Sequence, residues 1–479
     1  MSSWQQTFAG HGDQPAFIGG SDDSRVTYRE LAESVKQLCR EMTDADIDGT
    51  SVIGFPGNYS PNSLAMFFAV ADRHATAVPL PEAADERIDR LLDIALATHR
   101  MGLPACRPDS PPERITVQPQ PSTAPPMRGA GSDSLRTDVT PQNASRNEAH
   151  PLYQSLQASG HAGLVLFTSG TTGDPKAAVQ DLDRLRLRYT QHRDVGKMLA
   201  FMQMDHIGGI NTMLYVLTHG GTLVVPRSRS PQDVAACIEE HRIEVLPVSP
   251  TFLNLMLITG VIDQYDLSSL RRVTYGSEPM PESVLKRLGQ ALPGVDLLQT
   301  YGTTEMGILK SKSENNESLW MKVGGDGYET KIVDGRLWIR AQTAMLGYLN
   351  APSPFDQDGF MDTGDEVEIR GEWMRVMGRK SEFINVGGTK VSPIEVESVL
   401  LEMPSVCEAA VSGMEHPLMG QVVRASVRLA DASSIAEFKS AMRSHCKDRL
   451  PQEAIPVKVS LSETSMVTDR FKRARGEGC

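Results

Sequence analysis

The segment 164–176 constrains this chain more than any other. Residues 164–167 (LVLF) are apolar and run straight into Thr168-Ser169-Gly170-Thr171-Thr172-Gly173-Asp174-Pro175-Lys176. A short apolar run bounded by Gly and Pro reads as a buried strand, so a strand feeds a loop dense in glycines and hydroxyls. Glycine lets backbone N–H groups approach an anion closely. Hydroxyls donate to phosphate oxygens, and a lysine adds a point charge. The P-loop of kinases and ATPases needs Gly-Lys followed by Ser or Thr. Here Pro175 precedes the lysine and Ala177 follows it, so that template fails.

The rest of the chain fits an α/β protein. At 479 residues it exceeds one simple core, and two or three domains are expected. Residues 26–42 place apolar side chains at helical spacing, with Thr27 and Glu30 as a capping box. Strand-like runs at 51–55, 78–80, 221–226, 243–248, 270–275 and 295–299 alternate with helical patterns at 62–71, 231–241 and 281–292, which argues for layered α/β packing with a βαβ unit at 221–248. Residues 104–150 are rich in Pro, Ser, Thr, Gln and Asn and read as an irregular excursion. From about 324 the texture changes to short antiparallel strands, with an RGEW turn joining 366–370 to 373–377. After Gly378 about 100 residues suffice for a small α+β domain.

Bulk properties remove some classes. The formal charge of −12 disfavours generic binding to nucleic acid. No apolar run approaches the roughly 20 residues of a membrane span. The opening residues lack a basic stretch followed by an apolar one, and the six cysteines form no CxxC pair. The expectation is a cytoplasmic protein without stable membrane insertion.

The loop at 168–176 resembles the phosphate-binding signature of the adenylate-forming superfamily, which holds acyl- and aryl-CoA synthetases, nonribosomal peptide adenylation domains and beetle luciferases. It departs from the pattern TSG[ST]TGxPKG only at the last glycine, here Ala177. Further motifs follow in order. Gln299-Thr300-Tyr301-Gly302-Thr303-Thr304-Glu305 looks like the family's YGxTE element. The resemblance implies that Tyr301 packs on adenine, Thr304 contacts the α-phosphate and Glu305 helps hold Mg²⁺. Gly276, Ser277 and Glu278 stand where relatives carry a glycine-rich turn beside adenine and the acyl pocket. Asp365, in Thr363-Gly364-Asp365, would bind the ribose hydroxyls, and Arg379 the ribose or phosphate. Ser381 would be the hinge residue, and Gly387-Gly388 would line the tunnel for a pantetheine thiol.

The resemblance is closest to the acyl- and aryl-CoA ligase branch. It implies a large N-terminal domain of α/β layered subdomains plus a small β-barrel-like subdomain (1–377), a hinge at 378–382, and a small mobile α+β domain (383–479). The activity implied is an ATP-dependent carboxylic acid–thiol ligase, with ATP, Mg²⁺ and CoA or the phosphopantetheine of an acyl carrier protein. The acid is a small molecule, and its pocket would include Asp205, His206, Gly208, Gly209 and Thr251. His206 has a bland alternative, a loop histidine with a structural hydrogen bond, and Asp205 keeps amino-acid activation open. The pattern breaks at the end. Relatives carry a Gly-Lys element whose lysine bridges the carboxylate and α-phosphate; here Asp469 and Arg470 stand at those positions and Lys472 lies two residues on. Arg470 or Lys472 takes that role, or the chain binds nucleotide without full adenylation.

Overall fold

A computed structural model describes residues 3–19, 24–102, 150–168, 175–430, 434–468 and 471, together with the backbone of 116–118. The readings for Ser169, Gly170, Thr171, Thr172, Gly173, Arg470, Lys472 and most of 104–150 lie outside these residues. Within that last stretch, Thr116–Gln118 is a strand, antiparallel to His99–Gly102. The chain forms two compact units, 1–229 with 303–308 and 342–354, and 230–302 with 309–341 and 355–479.

The first unit is built on a seven-stranded sheet. Its order is Gly347–Tyr348, Lys176–Asp181, Gly163–Thr168, Thr76–Leu80, Val52–Pro56, His99–Gly102, Thr116–Gln118. The four strands from Gly163–Thr168 to His99–Gly102 run parallel. Gly163–Thr168, Thr76–Leu80 and Val52–Pro56 are buried along nearly their whole length, as parallel strands covered on both faces must be, while His99–Gly102 is only partly buried. The helix Tyr28–Asp44 starts where the sequence places it. Thr27 and Glu30 make both bonds of the capping box, and Tyr28, Leu31, Val35, Leu38 and Met42 form its buried stripe. Each such side chain contributes about 2 kcal/mol on burial. Ser60 caps Pro61–Asp72, whose interior is buried from Ser63 to Ala71. A second set of strands, Lys197–Leu199, Thr222–Val225, Pro15–Gly19 and Ser24–Thr27, completes the unit.

The second unit holds three parallel strands in register, Val245–Val248, Arg272–Tyr275 and Asp296–Gln299, with Val248, Tyr275 and Gln299 aligned at their carboxyl ends. Helices Pro231–His241, Pro250–Thr259 and Glu282–Ala291 accompany them. The two strands of the expected βαβ unit at 221–248 thus fall in different units. A six-stranded antiparallel sheet follows, in the order Ser311–Ser313, Met321–Val323, Trp373–Arg379, Met361–Arg370, Arg336–Ala341, Tyr328–Val333. The hairpin expected at RGEW is present, with Arg370 paired to Trp373. The last sheet joins Thr389–Val391, Ile384–Val386, Gly420–Leu429 and Val406–His416, with Lys458–Leu461 added parallel to Gly420–Leu429. Helices Pro393–Leu400 and Ile435–Cys446 belong to the same α+β region. Among the described residues no helix is long and apolar enough to cross a membrane.

Candidate active site

In the first unit, Thr168 and Lys176 face each other as the last residue pair of two antiparallel strands. The start of the second strand is stapled by Asn350, which accepts from Ala177 N (2.9 Å) and donates to Pro175 O (2.8 Å). Lys176 Nζ lies 5.4 Å from the ring centre of Tyr348, within the range of a cation–π contact. The hydroxyl of Tyr348 donates to Glu305 Oε1 at 2.5 Å, and Met345 N donates to Glu305 O at 2.7 Å. Gln180 Nε2 donates to Thr304 O. Lys176, Thr304 and Glu305, chosen from the sequence, are thus linked through Tyr348 and Gln180. The hydroxyl of Thr303 and Oε1 of Gln180 are buried and meet no partner among the described residues. Such orphans are uncommon in a finished interior, and they fit a polar ligand. The Glu305 carboxylate, aimed by Tyr348, and the Thr303 hydroxyl are hard oxygen donors, the type magnesium takes.

Sequence reasoning missed Tyr348, Asn350 and Gln180. The run Gly347-Tyr348-Leu349-Asn350 carries no periodicity, and its meaning appears only when Gly347–Tyr348 pairs with Ala178 and Val179.

The residues proposed for the acid have strong local reasons of their own. His206 caps the helix Ile207–Thr218, its Nδ1 accepting from Gly208 N at 3.0 Å. An ordinary Cβ at Gly209 would stand 1.9 Å from Gln203 O and 2.4 Å from Met202 O, so only glycine fits. Its carbonyl accepts from the buried Tyr59 hydroxyl at 2.8 Å. Burial, and then the charge of Asp205, push the Tyr59 pKa upward.

In the second unit three parallel strands end at one edge, and the loops after them carry predicted residues. This is where open α/β sheets bind ligands. After Val248 come Ser249 and Thr251. The backbone N of Thr251 donates to Glu278 Oε1 at 2.8 Å, and its buried hydroxyl has no partner among the described residues. After Tyr275 come Gly276 and Ser277. A Cβ at Gly276 would lie 2.5 Å from Thr300 Oγ1 and 2.7 Å from Thr300 O, and Ser277 adopts φ +73, so the turn is held tightly against its neighbour. After Gln299 come Tyr301 and Gly302.

Tyr301 reaches into the antiparallel sheet. Its hydroxyl donates to Asp365 Oδ2 at 2.5 Å, and Arg379, paired with Asp365 across the strands, puts Nε 3.7 Å from Oδ1. Burial raises the Asp365 pKa above the usual aspartate range, against the opposing pull of Tyr301 and Arg379. Burial, then the charge of Asp365, holds the Tyr301 phenol well above its ordinary pKa. Asp365 is 14% exposed and Arg379 62% exposed, so the cluster opens to solvent on the arginine side.

Ser381 lies in the exposed turn Lys380–Glu382. Gly387 (φ +59) and Gly388 (φ +94) form the two-residue turn joining Ile384–Val386 to Thr389–Val391. Two consecutive positive φ values suit glycine. Asn385 Oδ1 accepts from Gly388 N at 3.0 Å. A cavity of about 700 Å³ opens beside this turn, lined by Asn385, Gly388, Glu415, His416, Met419 and Gln421 among others.

Comparison with known proteins adds independent findings. The profile of the AMP-binding enzyme family matches residues 4–349, and that of the AMP-binding enzyme C-terminal domain matches 395–472. The indoleacetate–CoA ligase of Aromatoleum aromaticum is 28% identical over 90% of this chain and 89% of its own length. The 2-succinylbenzoate–CoA ligase of Bacillus subtilis is 29% identical over 64% of this chain and 65% of its own. Among solved structures, the anthranilate CoA ligase AuaEII in complex with anthranoyl-AMP superposes with a TM-score of 0.78, at 18% identity, over 99% of this chain and 96% of that one.

Proposed function

The chain belongs to the family of AMP-binding enzymes, and from that premise we propose that it activates a small carboxylic acid with ATP and passes the acyl group to a thiol. The observation that carries this reading is the meeting of Tyr301, Asp365 and Arg379. Three residues from three separate sequence motifs converge on one cluster suited to a nucleoside.

The chemistry follows from the poor electrophilicity of a carboxylate. An oxygen of the acid attacks the α-phosphorus of ATP, and pyrophosphate leaves, giving an acyl-adenylate. A thiolate then attacks the acyl carbon, and AMP leaves as the thioester forms. The protein acts by positioning and by stabilising charge. Lys176 and the hydroxyls of the 168–173 loop would neutralise the polyphosphate. Thr304 would contact the α-phosphate, and Gly276, Ser277, Glu278 and Gly302 would border the adenine. Asp365 would accept both ribose hydroxyls, a charge-assisted arrangement, with Arg379 beside it. Glu305 would hold Mg²⁺, which when bound offsets phosphate charge. Asp205, His206, Gly208, Gly209 and Thr251 would border the acid, and Arg470 or Lys472 would bridge the carboxylate and phosphate. Ser381 would serve as hinge between 1–377 and 383–479. The cavity at Gly388 supports a thiol route past Gly387-Gly388. CoA is the thiol expected first, with a carrier-protein phosphopantetheine as the alternative.

The test is exchange of labelled pyrophosphate into ATP across a panel of acids, followed by mass spectrometry of products with and without CoA. Acid-dependent exchange and an acyl-CoA product are expected. ATP binding with no exchange for any acid, in folded protein, would sink the ligase reading.

A further inference from the structure

Three of the buried side-chain oxygens that meet no partner among the described residues stand at one edge of the second unit's parallel strands. They are Thr251 Oγ1, Tyr275 Oη and Gln299 Oε1. Their residues are 5%, 2% and 8% exposed, so bulk water does not serve them. A buried hydroxyl left unpaired is costly, and a finished interior rarely keeps one. Tyr275 and Gln299 are directly paired across their strands, and Tyr275 is paired on its other side with Val248. Directly opposite residues share a face, so the phenol and the amide leave the sheet together. The backbone of Tyr275 is fixed. Its carbonyl accepts from Thr300 N at 2.7 Å and Thr300 Oγ1 at 3.1 Å, and the next residue, Gly276, has no room for a Cβ against Thr300.

Position along this edge sorts the three. The strand ending at Tyr275 lies between the one ending at Gln299 and the one ending at Val248. Gln299 stands two residues before Tyr301 and goes with the nucleoside cluster. Thr251 stands on the far side, three residues after Val248. Its N–H donates to Glu278 Oε1 at 2.8 Å, which ties the loop after Val248 to the turn after Tyr275. The Thr251 and Tyr275 hydroxyls therefore belong to one wall, on the side away from Tyr301. Burial pushes the pKa of the phenol upward, so it keeps its proton and can donate as well as accept. Hydroxyl oxygens suit a hydroxyl or an aromatic amine, and they offer no countercharge to a second carboxylate.

We propose that Tyr275 and Thr251 set the class of acid: one that carries an uncharged hydroxyl or amino group, which completes the hydrogen bonds these two hydroxyls lack. The inference rests on the ligase reading above and adds to it a substrate class and a selecting residue, Tyr275. A purely hydrocarbon acid of the same shape leaves both hydroxyls buried and unpaired in the complex. That is the situation in which a binding site discriminates strongly, whereas an apolar pocket separates a methyl from a hydroxyl only weakly.

Matched acids test it. Hydroxy-, amino- and methylbenzoates substituted at each ring position, and 4-hydroxyphenylacetate against 4-methylphenylacetate, are compared in pyrophosphate exchange and in titration calorimetry with the full chain. For at least one position the hydroxy or amino acid should exceed its methyl counterpart about 10–100-fold in kcat/KM and in affinity. Tyr275→Phe removes the hydroxyl and keeps the ring. It should bring that preference to within about three-fold, largely by improving the methyl acid, and leave the KM for ATP within about two-fold. Thr251→Val should act in the same direction. Neither change removes a hydrogen bond present in the free chain, so both variants should melt at or above the unaltered chain, and the ratio between matched acids is a readout that folding alone does not move. No exchange with any acid fails the ligase reading, while the calorimetric preference still decides this one. Methyl acids bound as well as their hydroxy and amino counterparts, or none of the pairs bound, overturns the proposal. So does a preference that survives Tyr275→Phe, or a variant that shifts the KM for ATP and leaves the acid preference alone, which would turn the phenol toward the nucleotide.

Discussion

Asp365 carries a charge that its surroundings penalise, which separates its stabilising role from its binding role. Burial raises its pKa in the folded chain above the unfolded value. The folded state then binds the proton more tightly, so the stability linked to this group falls as pH rises through the raised pKa. At neutral pH the ionised carboxylate works against folding. Asp365→Asn keeps an acceptor for Tyr301, and its melting temperature at pH 7 should equal or exceed that of the unaltered chain. ATP affinity should fall at least 10-fold, about 1.4 kcal/mol, by titration calorimetry. A lower melting temperature with unchanged affinity would make Asp365 structural. His206 and Gly209 show why residue roles were only partly legible in the sequence. The string Asp205-His206-Ile207-Gly208-Gly209 suits an acid pocket, yet His206 caps a helix and Gly209 has no room for a Cβ. The same residue types serve both purposes, and sequence alone cannot separate them. Gly209→Ala should cost about 1–3 kcal/mol or more through overpacking, visible in chemical denaturation. His206→Asn should preserve the cap and so the stability. If it also preserves the KM for the acid, His206 belongs to the helix and not to the pocket.

At the scale of elements, strands and helices were legible wherever apolar periodicity was strong. The helix Pro231–His241 and the hairpin at Arg370 and Trp373 fall where the sequence puts them. Partner choice was not legible, because it depends on contacts distant in sequence. The pairing of Gly347–Tyr348 with Ala178 and Val179 places Tyr348 against Lys176 and Glu305, and nothing local announces it. The Gly387-Gly388 turn is the opposite case, since a double glycine between short strands calls for two positive φ values. Gly388→Ala should cost about 1–2 kcal/mol for holding a side chain at positive φ. If the turn borders the thiol route, the same change slows thioester formation from a preformed acyl-adenylate and leaves pyrophosphate exchange intact. Equal loss in both half-reactions would assign the glycines to folding alone.

For the whole molecule, a ligand that binds only the folded chain stabilises it by mass action, about 2.7 kcal/mol at one hundred times its dissociation constant. Each class of ligand should therefore leave its own mark on the melting temperature. A nucleotide-binding chain with no acid chemistry gains the same stability from ATP and from any adenosine compound of similar affinity. A ligase is built around the reacting centre and binds a mimic of the intermediate more tightly than either substrate. Binding energy from the acid and from the nucleotide is then collected in one molecule, without the entropic cost of holding two. With the acid that supports pyrophosphate exchange, its non-hydrolysable acyl-sulfamoyl adenosine should shift the melting temperature further than ATP, AMP or the acid, each at equal concentration. The margin should shrink when the acyl group is exchanged for one that supports no exchange. An equal shift from AMP and from the mimic would leave a nucleotide site without an acid site, and the chain would then bind ATP for a purpose other than ligation.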